Sequence, residues 1–490
     1  MPESKEVPVI VVGAGPAGLT TAIVLGHYGV ECLLVERRVE PSLHPRATVV
    51  STRTMELLRS WRLDERVVAG GVEVEWLMWT CETLARAADG VPVEVGLPTR
   101  AQAAVISPAA PECVSQHHLE SVLLEHLRSL ESVRVEVGTT LVGVQSRTDG
   151  IRATLRSLDG RERIADAGYL VGADGAYSSV RAATGIAMRG SDDVVAGVTA
   201  LVRAPLWATL GELRYGFYAT SRAGEDGSFF PAAPDDRWIF GYQFASGESD
   251  ARLPTPHELT GRIRRAAGVE DLPVRIDRLG SFSSSAKLAD RFRSDRTFLI
   301  GDAAHRVTPR GGTGMNTAVH DGYDLGWKLA WVLSGWASAD LLDTYELERR
   351  PVAEHNVARS ADPSGSRRSP GEELRADLGG RIGHHWIAGT NGRRSTLDLL
   401  GPGLTLLTGS ASDAWKTAAS SVAGTAPLTW RSLDEITARA LGIRPRGALL
   451  VRPDGMPAAS WSRDAGTRSA LERAIADVTN GERLRDAHAA

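Results

Sequence analysis

The stretch VIVVGAGPAGLTTAIVLGHYGVECLLVERR, residues 9–38, decides the fold. Val9–Val12 is a short apolar run suited to a buried parallel strand, and Gly13, Gly15 and Gly18 follow it with the spacing GxGxxG before a helical pattern that ends at Gly29. In such a strand–turn–helix unit Gly13 permits the tight turn, Gly15 lets backbone approach a pyrophosphate, and Gly18 lets the helix pack close to the strand. Pro16 and Ala17 open the helix, whose free N–H groups and positive dipole end suit an anion. A second apolar run, Cys32–Val35, ends at Glu36. A carboxylate about 20 residues beyond the glycines stands where a ribose hydroxyl is accepted. The motif serves FAD and NAD alike.

The chain of 490 residues has length for about three domains. Its 56 basic and 60 acidic residues leave a formal charge of −4, so no broad basic surface is implied and nucleic acid is not an expected partner. The polar start MPESKEVP passes into the first strand, and no apolar run approaches the roughly 18 residues of a membrane span. A cytoplasmic chain without a membrane partner is expected. Cys32, Cys81 and Cys113 are scattered and odd in number, which fits buried thiols rather than a disulfide framework or a metal cluster.

Beyond the first unit, a turn with two prolines leads into a helical pattern carrying Met55, Leu57, Leu58 and Trp61. Residues 72–82 and 91–106 read as extended. SQHHLESVLLEHLRSL reads as a helix with Ser115 as N-cap, followed by strands with Asp-Gly turns at Asp149 and Asp159. From about 190 to 282, extended aromatic segments (Tyr215, Phe217, Phe229, Phe230, Trp238, Phe240) predict an antiparallel sheet inserted into the α/β domain, suited to stacking on a flat ligand. Alternate residues of a strand face opposite ways, and pattern alone does not say which set faces the ligand. The expected division is 1–189 and 283–360 for a Rossmann-like domain, 190–282 for the sheet (joined by segments near 72–106), 361–394 for a helical linker, and 395–490 for a C-terminal domain. The polar tract ARSADPSGSRRSPGEE is the linker candidate. Glu348, Arg349 and Arg350 read as a solvated helix face, and His305 as a structural residue.

Two more loops share the design of the first. YLVGADGAYSSVR places Asp174 after a strand and before a helix start at Ser178 or Ser179; TFLIGDAAHRVTPRGGTGMN places Asp302 after another strand, then a glycine loop opening onto a long helix. Ligands of open α/β sheets lie outside the carboxyl ends of the strands, so the three loops converge on one crevice.

GAGPAG (13–18), GADG (172–175), GDAAH (301–305) and GGTGMN (311–316) together resemble the class A flavoprotein monooxygenases, aromatic hydroxylases that use one FAD. The C-terminal part resembles the thioredoxin-like extension of members acting on polyketides and phenols. The resemblance implies an α/β fold with a Rossmann-like FAD domain, an inserted antiparallel substrate sheet and a thioredoxin-like C-terminal domain. It implies NADPH or NADH as transient reductant, a flavin C4a-hydroperoxide, and oxygen transfer to an electron-rich aromatic small molecule. By resemblance, Gly13, Gly15 and Gly18 with Pro16 and Ala17 face the FAD pyrophosphate. Glu36 holds the adenosine ribose with Arg37 beside the adenine, Arg46 lies near flavin and phosphates, and Gln116 and Asp302 reach the ribityl chain. Asp174 serves FAD and the passing nicotinamide, Pro309 lies over the flavin ring, and the backbone at Gly314, Met315 and Asn316 meets its pyrimidine edge. Arg310 departs from the small residue common there, near the reacting face, and could attract an acidic substrate, tune the ring or point to solvent.

A single GxGxxG argues against flavoproteins with a separate NADPH domain, and WLMWT lacks the paired-tryptophan motif of flavin halogenases. Baeyer–Villiger or dearomatising oxygenation, or a flavin dehydrogenase or oxidase, remain open on the same fold. All cysteines precede residue 114, so the C-terminal part cannot exchange disulfides itself; packing, or contacts of a homodimer, are the roles left to it.

Overall fold

The computed structural model describes residues 5–40, 46–222, 226–244, 252–389, 392–422, 426–463 and 467–482. The two-proline turn and His44 and Pro45 lie outside the described residues.

Strand Lys5–Val12 lies between two parallel neighbours, Cys32–Glu36 and Glu162–Gly172. Its Val9, Ile10 and Val11 are fully buried, as a run of apolar residues without alternation requires when both sheet faces are covered. The sheet runs 293–294, 297–299, 162–172, 5–12, 32–36, 133–137, and the hairpin 139–146/151–157 pairs antiparallel with the first part of strand 162–172. Parallel pairing brings Val12, Glu36, Gly172 and Leu299 to one edge. Helices Pro16–His27 and Gly314–Leu333 cover one face. They approach closely because Gly322 has no side chain: a Cβ there would stand 2.4 Å from the Ala17 carbonyl oxygen.

A second sheet runs 305–306, 275–289, 188–203, 237–243, 227–233, 215–220, 75–81, 91–94. It is antiparallel except where Tyr215–Thr220 runs parallel to Glu75–Cys81. Helix Pro256–Ala267 covers its outer face, packing Leu259, Ile263, Ala266 and Ala267 against Tyr218, Phe229, Trp238 and Phe240.

The C-terminal sheet runs 428–432, 404–408, 448–451, 457–461, the first pair parallel and the others antiparallel. With helices 413–421, 435–440 and 467–479 this is the thioredoxin-like topology. Its Leu404, Leu406, Trp415 and Leu471 share one apolar cluster with Val24, Trp327 and Trp331 of helices Pro16–His27 and Gly314–Leu333. All three cysteines are buried free thiols.

The structure corrects three expectations. Arg100–Ile106 is a helix, not extended chain, started by a reciprocal cap in which Thr99 Oγ1 accepts from Gln102 N (3.3 Å) and Gln102 Oε1 accepts from Thr99 N (2.9 Å). The tract 358–373 is anchored: buried Arg359 donates to the Gly365 and Val95 carbonyls at 2.9 Å and pairs with Glu373 at 2.9 Å. Glu348 and Arg349 are not solvated. Glu348 accepts from Lys328 Nζ (2.9 Å) and Arg452 (2.5 and 2.9 Å), Lys328 also reaches Asp324 (2.7 Å), and Arg452 meets Asp454. Arg349 pairs with Asp321, and of the three residues Arg350 is the most open to solvent.

This charge cluster is where the C-terminal sheet meets the helices. Truncating Arg452 to Ala leaves Glu348 and Asp454 without their shared cation, so we expect a loss of about 3–5 kcal/mol, read as a lowered denaturant midpoint.

Candidate active site

The three loops meet. One cavity of about 1650 Å³ is lined by the glycine turn, Glu36, the 173–179 loop, the 300–302 loop, the 307–315 loop and the inner face of the second sheet. That exceeds the roughly 300–1,000 Å³ of a single small-ligand site and suits a dinucleotide with a second molecule.

The glycine turn after the first strand is shaped by what its glycines touch. Gly13 has φ +108°, and a Cβ there would lie 2.3 Å from the Ala173 carbonyl oxygen; its N–H donates to Val35 O at 2.8 Å. A Cβ on Gly15 would meet nothing within 4 Å, so its backbone borders open space. Gly18 lies behind the turn, where a Cβ would be 1.9 Å from the Gly13 carbonyl oxygen, and it does not line the cavity. The resemblance had it facing the ligand; its place is in the helix–strand contact. Glu36 lines the cavity, with Oε2 accepting from Ala14 N (2.8 Å) and Oε1 from Arg38 N (2.9 Å).

Asp174 Oδ2 accepts from Ser179 N (2.6 Å), Ser179 Oγ (2.9 Å) and Val180 N (3.1 Å), capping the helix Ser179–Ala183. Its Oδ1 is buried without a partner, an acceptor that a ligand hydroxyl would satisfy. Asp302, Arg37 and Arg46 line the cavity. Gln116 lines it too, at the head of a helix capped by Ser115, with Nε2 donating to Glu120 at 2.7 Å. Burial pushes the Glu120 carboxyl up.

Pro309, Arg310, Gly314 and Met315 form the wall at the start of helix Gly314–Leu333. No side chain caps this helix, and its first residues border the cavity. Asn316 is set behind the wall. Its Oδ1 accepts from Ser51 N (2.8 Å) and Thr54 Oγ1 (2.9 Å), and its Nδ2 donates to Val49 O (3.1 Å), clipping helix Thr52–Ser60 to helix Gly314–Leu333.

His305 does not line the cavity. It is buried against Asp321 Oδ2 (2.6 Å), whose Oδ1 meets Arg349 Nε (2.8 Å) and which also accepts from Gly301 N (3.1 Å). Burial alone would raise the Asp321 carboxyl, but His305 and Arg349 outweigh it and hold it at about 2. Pattern reading missed this knot and also Arg181, which ties two loops together by donating to Ala303 O (3.0 Å) and Ala176 O (2.9 Å).

Of the six sheet aromatics, Phe217 and Phe230 face the cavity, stacked at 4.4 Å and 19°, beside Ile239. Phe229, Trp238 and Phe240 point into the outer core, and Tyr215 stacks on Trp79.

Residues 6–360 match the family described as FAD binding domain, and residues 375–480 match aromatic-ring hydroxylase, C-terminal. The chain is 32% identical to tetracenomycin A2 monooxygenase-dioxygenase of Streptomyces glaucescens, over 96% of this chain and 97% of that one. Among solved structures it is similar to aklavinone-11 hydroxylase in complex with FAD and aklavinone, with TM-score 0.86, 30% identity and 98% and 100% of the two chains covered. It is also similar to the flavin-dependent monooxygenase PieE in complex with FAD and substrate, with TM-score 0.88, 25% identity and 97% and 99% covered. Fold, cavity and relatives define a flavin-dependent monooxygenase. The chain belongs to the FAD-dependent aromatic-ring hydroxylases, with FAD as cofactor and an aromatic small molecule as substrate.

Two outcomes follow. Gly13→Ala forces a backbone shift against Ala173 and a left-handed φ on a residue with a Cβ, so FAD retention on gel filtration should weaken by at least about tenfold. Asp321 titrates lower in the fold than in the unfolded chain. Its contribution to stability is therefore complete above pH ~4 and is lost as pH falls toward about 2, a slope that Asp321→Asn should remove from a plot of unfolding free energy against pH.

Proposed function

We propose that this enzyme hydroxylates a polycyclic phenol of the polyketide kind in the cytoplasm, using NADPH or NADH as reductant. The observation that carries this reading is the stacked pair Phe217 and Phe230 on the sheet face that shares one cavity with the three cofactor loops.

FAD fits the site on three counts: open space beside Gly15, the unpartnered acceptor Asp174 Oδ1, and the uncapped helix start at Gly314. In this reading Gly13, Gly15, Pro16 and Ala17 hold the pyrophosphate, while Glu36 and Arg37 hold the adenosine. Arg46, Gln116 and Asp302 hold the phosphate and ribityl region. Pro309, Gly314, Met315 and the backbone of Asn316 border the ring, and Asp174 serves both FAD and the arriving nicotinamide. Held by these residues, FAD would supply hydride acceptance and dioxygen activation, chemistry that belongs to the cofactor rather than to the chain.

The chain's own share is electrostatic and steric. N–H groups at the start of helix Gly314–Leu333 favour negative charge on the ring's pyrimidine edge. Phe217, Phe230 and Ile239 exclude water and lay a flat substrate against the wall formed by Pro309.

Purified holoenzyme supplied with NADPH or NADH, isotopically heavy dioxygen and a panel of polycyclic phenols should yield a product with one heavy oxygen atom. Return of every phenol unchanged, with all reducing equivalents recovered as hydrogen peroxide, would overturn the reading.

A further inference from the structure

The second sheet and the loops opposite it give the substrate part of the cavity an apolar lining with few charges. Of the side chains contributed by the sheet and by the 307–314 and 366–367 loops, three are charged: Arg310, Arg367 and Asp226. Asp226 already has a cation, since Arg262 reaches its carboxylate at 3.3 Å. Neither arginine has a carboxylate within ion-pair distance among the described residues. Arg310 is half-buried, and its guanidinium makes one long contact, 3.4 Å, to the Ala361 carbonyl oxygen. It lies in the field of Asp362, but that carboxylate is taken by Arg368 at 2.6 Å and by Ser364 at 2.8 Å. Arg367 is exposed.

The two loops that carry these arginines are held near each other. Gly311 N donates to Ser366 Oγ at 3.3 Å, so Arg310 and Arg367 flank one hydrogen bond between the loops. Arg359 locks both loops from below. It donates to Gly365 O at 2.9 Å, and a Cβ on Gly311 would stand 2.7 Å from its Nε, so the approach is close on both sides. A half-buried guanidinium without a carboxylate partner, fixed on a braced loop at the edge of an apolar slot, is arranged to receive an anion from outside the chain.

We infer that the substrate carries a carboxylate on or beside its aromatic system, and that Arg310, assisted by Arg367 at the cavity edge, receives it. This deepens the aromatic hydroxylase reading and rests on it. The apolar stack of Phe217 and Phe230 holds the ring system, and the arginine sets which edge of it points toward the loop. A planar fork suits a carboxylate through two parallel N–H···O bonds, which a lysine cannot supply. Arg310 is thus a specificity-determining residue in a position where the resemblance gave a small side chain.

The test is a binding measurement on FAD-loaded enzyme, with a hydroxynaphthoic acid and its carboxamide as probes, titrated calorimetrically and by perturbation of the flavin absorption. The acid should bind at least about tenfold more tightly than the amide, as a charge-assisted hydrogen bond provides. Arg310→Gln should bring the two ligands to within about twofold without loss of bound FAD, and Arg310→Lys should keep only part of the preference. Equal binding of acid and amide to the unaltered enzyme, or a preference that survives in the Arg310→Gln, Arg367→Gln double variant, would overturn the inference. If neutral phenols are hydroxylated and the acid has no advantage, this inference alone fails; if no phenol of either kind takes up oxygen, the aromatic hydroxylase reading fails with it.

Discussion

The close approach of two helices, residue 322 of one against residue 17 of the other, sets the scale of the whole site. Helix Pro16–His27 starts at the glycine turn and helix Gly314–Leu333 starts at the opposite wall of the cavity, so the distance between the helices sets the distance between these two parts of the site. That distance is possible only because positions 322 and 326 are glycines: a Cβ at 326 would meet Val24 at 2.8 Å. In a helix interior each costs roughly 1 kcal/mol of propensity against alanine, a cost offset here by packing. Asp321, one residue earlier, holds the third loop through Gly301 N and His305. This stretch of helix thus positions the first and third loops, and Arg181 ties the second loop to the third.

What could be read from the pattern of residues was what local chemistry decides. The glycine spacing, the strand ending at Glu36 and the cap at Ser115 each depend on neighbours within a few positions, and each is found where expected. Parity in the aromatic sheet could not be read, because Phe217 and Phe230 face the cavity only through the register that pairs Tyr218 with Phe229 and Phe229 with Phe240. A shift of one residue in either strand would have turned the other set inward. The same holds for charge. Glu348 and Arg349 look like surface helix residues until Arg452, 104 positions beyond Glu348, arrives from another sheet. Arg359 sits in a tract of serine, proline and arginine whose composition signals a loose connection, yet it is among the most buried cations of the chain.

Much of the polar chemistry in this fold is devoted to holding loops rather than to reacting. Arg181, Arg359, Asp321 and the side chain of Asn316 each satisfy groups on two or more separate segments, and none needs to touch a ligand to shape the cavity. This is the division of labour expected of a cofactor enzyme. The ring does the chemistry, and the chain holds its surroundings in place.

The Asn316 clip has a thermodynamic corollary. It joins the start of helix Gly314–Leu333 to helix Thr52–Ser60, and that helix in turn is held by the C-terminal part, with Arg53 donating to Asp454 O at 2.6 Å and to Asp377 from its backbone N at 3.2 Å. Occupancy at one end of such a chain and docking at the other are linked equilibria. Whatever factor the seated C-terminal sheet contributes to cofactor affinity, the bound cofactor must return to the docking of that sheet, so loss of flavin would loosen the C-terminal domain by the same factor by which undocking of that domain weakens flavin binding.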